Sequence, residues 1–129
     1  MLVGVWGVAL RISRAGEPDR LTNEVSFALA PRIDGIAPNP AARIGGDVAL
    51  TVTVAPEIRP GQPATMLLSD RGIVADEFPA PVSALDFQVV DAAPGDHFVR
   101  VRIDGVDSEL IDRTTVPPTF DPAQQVAIT

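Results

Sequence analysis

In Val48-Ala-Leu50-Thr-Val52-Thr-Val54, the stretch that decides the fold, the branched apolar residues fall on one face and Ala49, Thr51 and Thr53 on the other. A period of two marks a strand with one side in a core. The same alternation returns in Leu85-Asp-Phe87-Gln-Val89, in Val99-Arg-Val101-Arg-Ile103 and along Val25, Phe27 and Leu29. Between these runs lie Pro38-Asn-Pro40, Gly45-Gly46, Pro60-Gly61, Asp70-Arg-Gly72, Pro79-Ala-Pro81, Pro94-Gly95 and Asp104-Gly105. Each supplies a preset φ or a residue tolerant of positive φ. Asp104-Gly105 predicts a two-residue type I′ hairpin, the turn whose twist matches that of its strands.

The predicted strands are Val25–Ile33, Val48–Val54, Thr65–Leu68, Gly72–Ala75, Leu85–Val89, Phe98–Ile103 and Val106–Ile111, with Val126–Ile128 added at an edge. No segment of helical length keeps apolar residues at helical spacing without a Pro or Gly interruption. Only Asp121-Pro-Ala-Gln-Gln125 predicts a helical turn, capped by Asp121 with Pro122 in first position. Short strands at even spacing with frequent turns define the class as all-β, an immunoglobulin-like β-sandwich of about seven strands.

The first residues stand outside that count. Trp6, Val8, Leu10 and Ile12 alternate on one face, a charged loop Arg14-Ala-Gly-Glu-Pro-Asp-Arg20 follows, and the chain returns through Asn23–Leu29. This predicts an N-terminal β-hairpin over residues 1–30, patterned like the end of a preceding immunoglobulin-like repeat, and a sandwich over residues 31–129. A similar plan of strand, acidic turn and return recurs from Phe98 to Arg113.

Composition narrows the function. The formal charge of -7, with all ten cations being dispersed Arg, argues against sequence-independent nucleic-acid binding. Without Cys there is no disulfide, thiolate nucleophile or Cys-ligated metal. No run approaches a membrane span of about 18 apolar residues. The apolar start Met1–Leu10 lacks the basic region and cleavage pattern of a signal peptide, so the expected address is the cytoplasm or a particle assembled there.

No catalytic set emerges. His97 is the single histidine, and Ser69, Ser83 and Ser108 lie in no Gly-x-Ser-x-Gly setting. Asp104, Asp107, Glu109 and Asp112 are the densest acidic group, but Gly105 follows the first acid directly where an EF-hand loop needs its glycine at the sixth position. Gly45-Gly46 is followed by neither Lys nor a helix, which a phosphate loop requires. The sequence therefore predicts no enzyme activity, cofactor or metal. Its candidate partner surface is the stripe Trp6, Val8, Leu10 and Ile12, together with Arg100 and Arg102 on the outward side of their strand.

Asn23–Ile33 leading to Gly35-Ile-Ala-Pro38, then Gly45-Gly-Asp-Val-Ala-Leu50, resembles the opening of IPT/TIG-type immunoglobulin-like domains, and Pro94–Ser108 resembles their final hairpin. Phe27–Ile33, Arg59-Pro-Gly-Gln62, Val99–Ser108 and Pro118-Thr-Phe-Asp-Pro122 together are similar to the C-terminal region of the tail cap or terminator proteins of phage-tail-like contractile injection systems. The resemblance implies a non-catalytic structural or docking domain whose partners are tail-assembly proteins or a second copy held through the N-terminal hairpin. Members carry a tail-assembly domain ahead of this part. None is visible here, so their capping activity is not carried over. The fold hosts other functions. A carbohydrate-binding or adhesive surface module and an accessory domain of an enzyme stay open, although a chain without Tyr offers few rings for a sugar platform.

Overall fold

The computed structural model describes residues 2–9, 11–18, 20–21 and 25–129, with the backbone alone for 20, 21 and 25. Around the stretch that opens the sequence reading, β6 (Val48–Ile58) pairs antiparallel with β5 (Arg32–Ala37) on one side and β9 (Val82–Val89) on the other. Val48, Leu50, Val52 and Val54 are buried and Ala49 and Thr53 exposed, as the alternation requires.

A second sheet is built on β10 (Gly95–Ile103), which pairs with β7 (Ala64–Leu68), itself paired with β8 (Arg71–Val74). The other edge of β10 is shared. β11 (Val106–Asp107) takes its C-terminal end and β14 (Gln125–Ile128) its N-terminal end. Both sheets send alternate residues into one buried cluster, with Leu50, Leu85 and Phe87 from the first and Met66, Val99, Val101 and Ile103 from the second. The described residues are thus all-β, with a single turn of 3-10 helix at Pro122–Gln124 capped by the Asp121 carboxylate on Ala123 N. Among them, no helix is long and apolar enough to cross a membrane.

The hairpin at Asp104-Gly105 forms as expected, with Ile103 opposite Val106 and φ of 49° and 78° at the two turn residues. Two predicted strands break. Val25–Ile33 divides into β4 (Val25–Leu29) and β5 on either side of Ala30-Pro31, because Pro31 has no N–H to continue a ladder and is buried at the crossing. β4 pairs with β1 (Gly4–Val8), whereas β5 joins β6.

Val106–Ile111 breaks after Asp107. There the buried Ser108 hydroxyl accepts from Val101 N at 2.9 Å, while Ser108 N donates to Val101 O at 2.8 Å. The chain then leaves the sheet for a small hairpin of β12 (Ile111–Asp112) and β13 (Thr119–Phe120), and returns as β14. Pro117 and Pro118 lie within that excursion, where no ladder donors are needed.

The N-terminal hairpin is a ribbon in two pieces, since β2 (Arg11–Ile12) and β3 (Arg20–Leu21) form a second short pair beyond β1 and β4. The ribbon is anchored at its base. Val3 is buried in the shared core, and Gln62 Nε2 donates to Val3 O at 3.3 Å and to Asp104 Oδ2 at 2.8 Å.

Ser108→Ala leaves Val101 N–H buried without its acceptor, so a loss of about 1–3 kcal/mol is expected in urea unfolding. Phe87→Ala, which empties a fully buried site, should cost about 3–5 kcal/mol. An unchanged unfolding midpoint in Ser108→Ala would show that the Ser108 bond does not hold the broken edge.

Candidate docking surfaces

Direct pairing places Trp6 opposite Phe27 and Gly4 opposite Leu29, so these side chains and Val8 share one face of the ribbon. Val8 is 51% and Phe27 37% exposed, whereas Trp6 is half-buried and its Nε1 donates to Leu2 O at 2.8 Å. Ile12, also exposed, belongs to the second pair and does not extend the face of Trp6 along one continuous strand. Leu10 lies outside the described residues. What ties the ribbon to the core is Val3, which the alternation starting at Trp6 left out.

Arg100 and Arg102 do come together, but on a carboxylate of the neighbouring strand. Arg102 lies opposite Asp107 and holds it through Nε to Oδ1 at 2.6 Å and Nη2 to Oδ2 at 3.1 Å, while Arg100 Nη1 reaches Oδ2 at 3.5 Å. The hydrogen bonds and charge of Arg102, with a smaller contribution from Arg100, hold the Asp107 carboxyl below its ordinary value against the opposing pull of partial burial. Neither guanidinium is an open cation.

The other acids of this region are engaged one by one. Asp104 accepts from Gln62, Glu109 pairs with Arg113, and Asp112 accepts from Thr114 N and Oγ1, bonds that hold its carboxyl low. They do not converge on a common point.

A polar pair that the sequence reading passed over joins two loops. Ser69 Oγ lies 3.0 Å from His97 Nδ1, and His97 Nε2 lies 2.8 Å from Ala93 O. Since a carbonyl only accepts, Nε2 is the donor to Ala93 O, and Nδ1 is the ring nitrogen that meets the Ser69 hydroxyl. Ser69, at a φ of 54°, gives its own N–H to Phe98 O at 2.9 Å. The imidazole is oriented by a backbone carbonyl rather than a carboxylate, and it ties the β7–β8 turn to the loop ahead of β10.

Exposed apolar side chains are concentrated on the two small additions. Val5, Val8, Ile12 and Phe27 stand on the ribbon and Ile111, Val116 and Phe120 on the excursion. Ile44, Val74 and Val90 are the large ones exposed elsewhere among the described residues.

The fold and these surfaces define an all-β protein that displays apolar elements beside a core shared by two sheets. The chain belongs to the family described as a domain of unknown function, DUF8756, whose model matches residues 31–129. Neither a search of curated proteins nor one of solved structures found a match.

The lowered carboxyl of Asp107 fixes a sign. Its pairing contributes stability that is present above the ordinary aspartate range and lost as pH falls through the depressed folded value. In carboxyl NMR titrations, Asp107 should titrate below ordinary aspartates, and Arg102→Gln should raise its midpoint. A midpoint unmoved by that substitution would contradict the pairing.

Proposed function

We propose that this chain is a non-catalytic, immunoglobulin-like sandwich that docks proteins within a phage-tail-like contractile injection system. The strand order supports the fold: β5, β6 and β9 correspond to A, B and E, and β7, β10 and β11 to C, F and G, with β8 beside β7 in the position of C′. The observation that carries the function is the concentration of exposed apolar side chains on the ribbon and the excursion. Monomeric proteins keep such groups scattered, and clustering marks contact surfaces. A two-stranded ribbon is also marginal alone in water and gains from a partner.

Charge favours the ribbon as the point of approach. Arg11, Arg14 and Arg20 balance Glu17, Asp19 and Glu24, so the whole net charge of -7 lies on residues 31–129. Two acidic bodies repel at ordinary distances, and a neutral apolar ribbon lets them, or another acidic particle component, meet.

Removing residues 1–29 should leave the sandwich folded, with some loss of stability from the missing Val3. It should also abolish self-association and binding to sheath, tube and baseplate proteins, as measured by light scattering and co-sedimentation. Association unchanged by the deletion would sink the ribbon's role.

A further inference from the structure

Strand β8 ends its sheet, and on the opposite side of that sheet the outer edge of β14 is covered. Asn39 donates from Nδ2 to Gln125 O at 3.0 Å and accepts from Ala127 N at 3.1 Å, and Ala41 exchanges backbone bonds with Ala127 and Thr129 along the outer side of β14. The first sheet is guarded too. β5 is irregular between Ile33 and Gly35, and β9 gives Asp86 O to Asp76 N at 2.9 Å. Such devices protect edges against unwanted pairing.

β8 lacks them. The two-residue turn makes Leu68 and Arg71 a hydrogen-bonded pair, and Ala75 N donates to Ala64 O at 3.0 Å. Antiparallel bonding alternates, so Gly72 and Val74 direct both N–H and C=O outward. Both residues are exposed, Val74 by 74%.

A groove begins at the C-terminal end of this strand. From Val74 a depression of about 590 Å³ runs between Pro60–Ala64 and Val74–Pro79. Its walls are apolar at Val74, Phe78 and the prolines, and they carry the exposed carboxylates of Asp76 and Glu77 with no cation among the lining residues.

We infer that the β8 edge and this groove bind an extended segment of a partner protein that alternates apolar and basic residues. The backbone of Gly72 and Val74 supplies the ladder, the apolar wall takes alternate side chains, and Asp76 and Glu77 select Lys or Arg over acidic residues. The site is separate from the ribbon face of Val8 and Phe27, although Gln62 in its wall also bonds Val3 O at the ribbon's base, and it shares with the docking reading only the premise that the ligand is protein.

The probe is a nine-residue peptide of alternating valine and lysine, titrated into the full chain and followed by amide NMR. Shifts should be confined to Gly72–Pro79 and Pro60–Ala64. Asp76→Asn with Glu77→Gln should weaken binding at least fivefold, and a valine–glutamate peptide should not bind. Val74→Pro removes an outward donor together with the valine side chain of the wall and should cost tenfold or more. A peptide N-methylated on the edge that faces β8 should lose the same without altering the protein. Small shifts spread over the acidic surface, or full binding by the N-methylated peptide, would overturn strand addition in favour of charge attraction alone. Val8→Ser with Phe27→Ser, which removes the exposed apolar face of the ribbon and leaves Val3 and its bond to Gln62 in place, should leave this binding intact, so failure of the ribbon reading and failure of this one are separable.

Discussion

Everything else in the structure depends on β10. Val99, Val101 and Ile103 turn fully buried side chains into the core, while its backbone serves β7 on one edge and three successive partners on the other: β14, Ser108 and β11. A buried ladder position without a partner is costly. The chain meets that constraint at its weakest point with a hydroxyl, since Ser108 bonds Val101 where the paired strand has already turned away. This one substitution of a side chain for a ladder group is what lets an excursion leave the sheet edge without unravelling it.

The same economy governs the charges. An acidic surface invites a metal-site reading, yet Asp104, Asp107, Glu109 and Asp112 each answer a neighbouring donor or guanidinium. Asp107 is the strongest of these contacts in geometry because its partner Arg102 stands directly across the hairpin and grips both oxygens. Charge thus stabilises local turns, while exposed apolar side chains gather on the ribbon and the excursion.

Local chemistry was legible in the sequence, and long-range closure was not. The period-two runs at Val48–Val54 and Leu85–Val89, the Asp104-Gly105 turn and the Asp121 cap depend on residues within a few positions of one another, and the structure contains all of them. The break at Pro31 was in plain view, but the alternation on both sides outweighed one missing N–H. Asn39 and the Ser69–His97 pair draw their roles from strands far along the chain, and Ser108 draws its role from the break of the hairpin that pairs it with Val101, which its immediate neighbours do not mark. Val3 carries no signal of its own beyond an apolar side chain, so its burial emerged only with the sandwich in place. Of the candidate surface residues, the exposed Val8 and Ile12 were visible as a stripe, whereas the pairing of Arg100 and Arg102 with Asp107 required the register of the hairpin.

Amide hydrogen exchange across the whole chain tests most directly whether one cooperative core centred on β10 carries two appended surfaces. The account predicts that the amides of Leu50, Met66, Phe87 and Val101 exchange only through global unfolding, with a common free energy, while those of β1, β4, β12 and β13 exchange through local opening and much faster. Fast exchange at Val101, or ribbon amides protected to the global limit, would contradict it.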